Sequence, residues 1–287
     1  MADQLFRTLS PKRTLDGLYV DGGFTDYWQC ATPVSGWPVT MFAWFTSDDT
    51  SSSGVAQEVM GIGDGTDFHG IEMRIRINAY NSLELRTGNG NGLKEITQVL
   101  PGEYSGELAF GLVSCAGEAD TQEVKIFRRE TGAVTTAAGT SDGGTWIYDW
   151  DRLNLCVGYE EGDGDTLTGN IYEAGVYDAM LTADEFDLLR LGVDPRLVRP
   201  GSLRCLWWPG DEGSVIKNRA PGFTGLYDLE LQGGAFARSG AVPILRQRGH
   251  LVPSAFAAAA VGGVPAMDTW DVYPAPPGRM PNEVVSY

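Results

Sequence analysis

The stretch T168-G-N-I-Y-E-A-G-V-Y-D-A-M-L-T-A-D-E-F-D-L-L-R-L-G192 predicts a β-strand, a tight bend and a short helix. Its first half alternates between two sets of side chains, which is the period of a strand. Thr182 can cap a helix N-terminus, and Glu185, three residues later, completes a capping box. The helix is predicted over 182–191, with a narrow apolar stripe formed by Phe186, Leu189 and Leu191. Gly192 and Asp194-Pro195 follow as signals that end the helix.

The composition predicts a globular protein built mainly from strands. Hydrophobic residues make up 43% of the 287 residues and include eight Trp, enough for a large core. Asn-Gly, Asp-Gly and Gly-Gly pairs among the 38 glycines indicate many tight turns. A formal net charge of −17 argues against nucleic acid and against an anionic membrane as partners, because phosphates would be repelled.

Short apolar or alternating runs recur between these turns from Leu15 to Gly175, and almost none has helical periodicity. This spacing predicts an antiparallel two-sheet sandwich rather than an α/β fold. M41-F-A-W-F45 is apolar on both faces, which predicts a central strand. I71-E-M-R-I-R-I77 alternates apolar and charged residues, which predicts a strand with one face in water.

Four segments follow along the chain. Residues 1–14 are predicted to be an N-terminal arm, and 15–192 the sandwich. Residues 193–249 contain two further strand candidates, L203-R-C-L-W-W208 and L226-Y-D-L-E-L231. Residues 250–287 are rich in Ala and Pro and are predicted to form an extended C-terminal arm.

The order of these strands, closed by G169-N-I-Y-E-A-G-V-Y-D-A-M-L-T-A-D-E-F, resembles the laminin G-like, concanavalin A-like jelly roll over about residues 15 to 192. The resemblance implies an all-β jelly-roll sandwich in which the short helix is a terminal clip. Phe186 and Leu189 would then cover the open end of the sandwich.

The segment C205-L-W-W-P-G-D-E-G-S-V-I-K-N-R-A-P-G222 resembles the element that usually begins such a domain. Two interpretations are open: a permuted strand pair that completes the same sandwich, or a truncated second module. The permuted interpretation is favoured because about 50 residues bury little core alone. The layout of the strands that follow residue 192 also resembles that of chains encoded in tailed-bacteriophage structural modules.

The sequence does not predict an enzyme or a cofactor. Glycosidases of this fold resemble one another in an E-x-D-x-E strand, and the nearest candidates, D228-L-E230 and D268-T-W-D271, lack that pattern. Lyases of the fold use a His with Tyr and Arg, and only His69 and His250 are present.

Two places in the sequence resemble calcium sites, but only weakly. Asp67 matches a position at which laminin G modules use a ligand, and the loop E160-E-G-D-G-D165 offers four carboxylates. Asp and Gly are equally typical of solvated turns, so no metal ligand is assigned.

The cysteine spacing and the lack of a recognisable targeting signal favour a reducing compartment. Cys30, Cys115, Cys156 and Cys205 are widely spaced without a CxxC pair, and all four are expected to be free thiols. The start lacks the apolar core of a signal peptide, and no run reaches transmembrane length. Synthesis in a host cytoplasm is therefore expected, without a membrane partner.

The resemblance and the arm together predict a non-enzymatic structural protein of a phage virion. Capsid decoration (cement) is the first choice; a tail, collar or fibre component and a carbohydrate-binding module are the alternatives. Expected partners are further copies of the chain (a trimer is one arrangement), the major capsid or another virion protein, and a host-surface glycan. Four aromatic residues of the arm are predicted to dock on neighbours: Phe256, Trp270, Tyr273 and Tyr287.

Overall fold

A computed structural model describes most of the chain from Arg13 to Ile244. The described residues are 13–21, 27–48, 56–64, 69–76, 82–89, 93–99, 106–117, 121–140, 150–156, 166–211, 214–232 and 237–244. All of them belong to one structural unit, Met1–Arg246. The predicted C-terminal arm over 250–287 lies outside them.

The described residues form strands almost throughout. In chain order the elements are β1 (Arg13–Asp21), β2 (Tyr27–Ala31), β3 (Val39–Ser47), β4 (Ala56–Gly63), β5 (His69–Arg76), β6 (Ser82–Asn89), β7 (Leu93–Val99), β8 (Ala109–Cys115), β9 (Thr121–Arg128), β10 (Val134–Thr140), β11 (Arg152–Leu155), β12 (Thr168–Tyr177), α1 (Ala183–Arg190), β13 (Leu203–Trp207), β14 (Val215–Ile216), β15 (Leu229–Gln232) and β16 (Ala237–Ile244). Two short 3-10 helices, Pro195–Leu197 and Pro209–Asp211, flank β13.

Within the described part, these strands make two antiparallel eight-stranded sheets. Sheet 1 has the order β10-β9-β8-β3-β12-β1-β16, and β13 also pairs with β12. Sheet 2 has the order β14-β15-β2-β11-β4-β5-β6-β7. The predicted all-β jelly-roll sandwich with one short helix is thereby confirmed, except for the arm, which the described residues do not include.

The main core lies between the two sheets and follows strand alternation. Met41, Ala43 and Phe45 of β3 point into it, and so do Trp28 and Cys30 of β2. Each is at most 9% exposed. Burying aliphatic and aromatic side chains contributes about 1.5–3 kcal/mol each, so this layer is the main source of stability.

A second apolar layer covers the outer face of sheet 1. Phe42 and Trp44 alternate with the inward residues of β3 and pack with Phe110 in this layer. Both faces of β3 are therefore buried, which explains why M41–F45 is apolar throughout and confirms its central position. A strand covered on both sides has no need for alternation.

Helix α1 forms part of this outer cover, where the Phe186 ring packs at a tilt against Phe110 with ring centroids 5.7 Å apart. The predicted capping box is present: Thr182 Oγ1 accepts from the Glu185 N–H, and the Glu185 carboxylate accepts from the Thr182 N–H. Gly192 follows in the left-handed region, with φ of 82°. The helix prediction is confirmed, but the expected position over the open end was wrong, because the apolar stripe meets an apolar sheet face.

The water-facing prediction for β5 was also wrong. Glu72 and Arg74 point away from the main core, yet both are buried. The register sets Glu72 opposite Arg86 and Arg74 opposite Glu84 on β6. Arg74 Nε lies 3.0 Å from Glu84 Oε2, and Arg86 Nη1 lies 3.3 Å from Glu72 Oε2. Charges can be buried when each is paired and hydrogen-bonded in this way.

The trailing strands take places in both sheets. β13 pairs with β12, β15 pairs with β2, and β16 pairs with β1. The strand predicted over 226–231 is shorter than expected and begins at Leu229, because the Tyr227 φ of 59° lies outside the β region. The boundaries predicted at 14, 192 and 249 stay predictions.

Candidate functional site

An open groove of about 460 Å³ lies on sheet 2, where β15, β2 and β11 run side by side. Its lining is mainly polar or charged and includes a single aromatic ring. The lining residues are Gln29, Cys30, Ala31, Asp151, Arg152, Tyr227, Asp228, Glu230 and Gln232.

Strand alternation turns these polar side chains outward. Trp28, Leu153 and Leu229 face the main core. Their neighbours Gln29 and Glu230 therefore lie on the outer face of the sheet, and the register pairs them directly across β2 and β15. The groove is the half-exposed outer surface of these strands, closed at one end by the segment that leads into β15.

Two contacts fix the side chains on the β2–β11 half of the groove. Gln29 Nε2 donates to Asn154 Oδ1 at 3.0 Å, and Asn154 is fully buried. Arg152 Nε donates to Asp151 Oδ1 at 2.9 Å. The side chains of Asp151 and Arg152 are 60% and 29% exposed, so this ion pair remains accessible from the groove.

The Tyr227–Asp228 corner on the other side is held by hydrogen bonds to its backbone and carboxylate. The Tyr227 carbonyl accepts from Trp207 Nε1 at 3.0 Å. One Asp228 oxygen accepts from the backbone N–H of Asn218 at 2.8 Å, and the other from Lys217 Nζ at 2.8 Å. This corner is therefore a rigid wall of the groove.

The outer face of sheet 2 continues from the groove into the buried charge cluster. Across successive strands the register places Gly61 beside Asn154, Glu72 beside Gly61 and Arg86 beside Glu72. Glu58 on β4 joins the same cluster, 4.0 Å from Arg86 Nη1. One polar band therefore crosses the sheet, half-exposed in the groove and buried over β4–β6.

The four cysteines are free and buried. Burial raises the pKa of the Cys30 thiol, and the negative charge of Asp228 raises it further. Burial also raises the pKa of Cys156 and of Cys205. Thiols held in the neutral form are poor nucleophiles and poor metal ligands, and the Cys30 side chain points into the main core, so Cys30 lines the groove without adding a reactive group to it.

The partner-binding residues predicted from the sequence (Phe256, Trp270, Tyr273 and Tyr287) all lie outside the described residues. Asp67 and the 160–165 loop lie outside them too. Among the described residues, no group of three or more His, Cys, Asp or Glu could hold a metal ion. No helix in the described part is long and apolar enough to cross a membrane.

The groove itself was not predicted. D228-L-E230 was considered only as a catalytic pair, whereas the structure places both residues in the groove lining. Alternation in Y27-W-Q-C-A31 would have identified Gln29 as an outward residue. Nothing local predicts that β2 pairs with a strand about 200 residues later, and that pairing creates the groove.

No protein-family model and no curated protein sequence matches the chain. Among solved structures, the chain is similar to the CBM40 of the Ruminococcus gnavus IT-sialidase bound to alpha2,3 sialyllactose (TM-score 0.46, 14% identity, 62% of this chain and 97% of that chain). It is also similar to the native heptameric SAP-like pentraxin of Limulus polyphemus (TM-score 0.46, 10% identity, 82% and 98%). A third similarity is to tailspike protein 2 of the Escherichia coli O157:H7 bacteriophage CAB120 (TM-score 0.43, 14% identity, 69% and 30%).

Proposed function

We propose that this chain is a non-enzymatic structural protein of a tailed-phage virion whose jelly-roll body binds carbohydrate through the groove on sheet 2. The virion setting is supported by the sequence resemblance to phage structural modules. The binding role is carried by one observation, the chemistry of the groove lining.

The lining matches what a sugar requires. Each sugar hydroxyl both donates and accepts a hydrogen bond. The groove offers donors in the Arg152 guanidinium and the Gln232 amide, and acceptors in the carboxylates of Asp151 and Glu230. Tyr227 adds an apolar ring face. The volume of about 460 Å³ lies within the roughly 300–1,000 Å³ typical of small-ligand sites, and the lining is more polar than that of most such sites.

The position of Asp228 argues against a role for this residue as a catalytic acid. Both of its carboxylate oxygens are engaged, by the Asn218 N–H and by Lys217 Nζ. An acid that protonates a glycosidic oxygen must instead direct an oxygen at the ligand. If the protein binds without catalysis, incubation with any glycan that it binds should leave the glycan intact by chromatography.

The experiment that tests the proposal is a glycan array with full-length protein, followed by calorimetry on the best ligand. Arg152→Ala should weaken binding by at least about tenfold, since it removes a charged donor worth about 1.5–3 kcal/mol. Arg196→Ala is the matched control, because that exposed arginine pairs with Asp194 away from the groove. Binding to no glycan, or equal loss in both variants, would contradict the proposal.

Capsid decoration remains a second proposal, supported by the acidic composition and by the Pro-rich arm over 250–287. Apolar burial of the arm's aromatic side chains on a neighbour would stabilise docking by up to about 1.5–3 kcal/mol each. Deleting residues 251–287 should leave a cooperative thermal transition but abolish co-sedimentation with the virion particle. Equal co-sedimentation of truncated and full-length protein would show that the arm does not anchor the chain.

A further inference from the structure

Tyr227 has a backbone conformation that few bulky residues adopt. Its φ of 59° lies in the left-handed region, which is favourable mainly for Gly and tolerable for Asn and Asp. Such a conformation persists only where the surrounding structure enforces it, and it is frequent at binding sites.

Buried neighbours enforce this conformation on both sides of Tyr227. Trp207, fully buried, donates from Nε1 to the Tyr227 carbonyl. Asn218, also fully buried, donates from Nδ2 to the Leu226 carbonyl at 2.9 Å, and its backbone N–H reaches Asp228. The chain is therefore fixed immediately before, at and after Tyr227, which lines the groove, packs partly buried against the main core and lies 6.2 Å from Phe223 between ring centroids. A residue held in this way needs little further ordering on binding.

The charges around the ring are unbalanced toward negative. Asp151, Asp228 and Glu230 line the groove, and Arg152 is its single basic residue. Arg152 pairs with Asp151, and Lys217 outside the lining pairs with Asp228. None of the ion pairs formed among the described residues involves Glu230, which is exposed at the groove surface.

We infer that the groove takes a neutral or amino sugar stacked on the Tyr227 ring and rejects sugars that carry a carboxylate. This inference rests on the proposed function and specifies its ligand class. The ring supplies an apolar surface for the C–H face of a pyranose, while Glu230 accepts from hydroxyl or ammonium groups. A ligand carboxylate would meet like charge at Glu230 and on a chain of net charge −17.

The expected discrimination follows from Coulomb's law. Two like unit charges about 4 Å apart repel by about 1 kcal/mol in water, which equals about fivefold in affinity, and by more at a partly buried surface. An ammonium group on the sugar should raise the affinity by a similar factor, because it is attracted to the carboxylate. Both effects should weaken as salt rises, because exposed charges are screened.

The test uses full-length protein and three β-linked trisaccharides of equal length, made of glucose, glucosamine and glucuronic acid. At low salt the glucosamine trimer should bind at least as tightly as the glucose trimer, and the glucuronic acid trimer at least about fivefold more weakly. Glu230→Gln should bring the affinities of the glucosamine and glucuronic acid trimers close to that of the glucose trimer. Tight binding of the glucuronic acid trimer would overturn the inference.

Substitutions at Tyr227 separate the ring from the backbone. Tyr227→Phe should keep affinity, whereas Tyr227→Asn, which tolerates the left-handed conformation, should lower it for every trimer by tenfold or more. An unchanged affinity in Tyr227→Asn would overturn the stacking role. If carboxylated sugars bind and Arg152→Ala weakens them, only the ligand class fails; if no trimer binds, the inference fails together with the glycan function.

Discussion

Asn218 is predicted to be the most costly single polar residue to remove near the groove. Its fully buried amide links three segments: Oδ1 accepts from the N–H groups of Leu206 and Ala220, each at 3.0 Å. Nδ2 donates to the carbonyls of Arg204 at 3.0 Å and Leu226 at 2.9 Å. The amide therefore ties β13 to the loop that carries the groove corner.

The expected loss of stability follows from the buried backbone N–H groups that the substitution leaves without a hydrogen-bond partner. Asn218→Ala leaves the Leu206 and Ala220 N–H groups without their acceptor, and each unsatisfied buried group costs about 1–3 kcal/mol. We therefore expect a loss of about 2–6 kcal/mol, which is a large share of the typical 5–15 kcal/mol of a folded domain. Asn218→Asp should cost as much at equal volume, since a carboxylate oxygen would face the carbonyls of Arg204 and Leu226.

Asn170 provides the matched control. Its amide makes one side-chain hydrogen bond among the described residues, from Nδ2 to Thr46 Oγ1 at 2.9 Å, and the side chain is half-buried. Asn170→Ala should lower stability by only about 0.5–1.5 kcal/mol. Urea denaturation at constant m-value compares the two variants directly. If Asn218→Ala costs no more than Asn170→Ala, the assignment of Asn218 as the tie between β13 and the corner is refuted.

Three further predictions concern the charge cluster, the helix and the thiols. Arg74→Ala removes the cation beside the fully buried Glu84 carboxylate and should cost about 3–5 kcal/mol in urea denaturation, against at most about 1 kcal/mol for the exposed Arg196→Ala. Phe186→Ala should cost about 3–5 kcal/mol by thermal unfolding, and a loss below 1 kcal/mol would contradict the docking of α1 on sheet 1. Because burial raises the pKa of Cys156 above its ordinary 9.0, the folded state keeps a proton that the unfolded state releases, so this thiol alone should lower stability above about pH 9 by up to about 1.4 kcal/mol per pH unit. Cys156→Ala should make that slope shallower, and an unchanged slope would exclude this thiol as its cause.

Local signals in the sequence predicted the elements whose chemistry is local. Thr182 and Glu185 cap α1 through neighbours three residues apart, so the helix could be placed to within a residue or two. The run in β3 is apolar on both faces of the strand, and this pattern alone indicated a central position in the sheet. The fold class followed from many such strands.

Predictions failed where the deciding partner lies on another element of the fold. Charged residues on β5 predicted contact with water, but Glu72 and Arg74 are buried because β6 supplies Arg86 and Glu84 in register. The alternation of a single strand cannot reveal that its polar face is matched by the next strand. The position of α1 failed similarly, because the outer face of sheet 1 becomes an apolar surface only after its strands assemble.

The groove shows how closing the sandwich creates the site. β2 lies between β11 and β15, so the groove joins an N-terminal strand to two strands that follow about 120 and about 200 residues later. Contacts between such distant segments carry a large loop-closure entropy and form only with the cooperative core. A ligand held between Arg152 and Tyr227 would bind the closed sandwich and not the open chain. Its binding free energy would therefore add to the pairing of β15 with β2, so that the same contacts would hold the ligand and the last strands of the sheet.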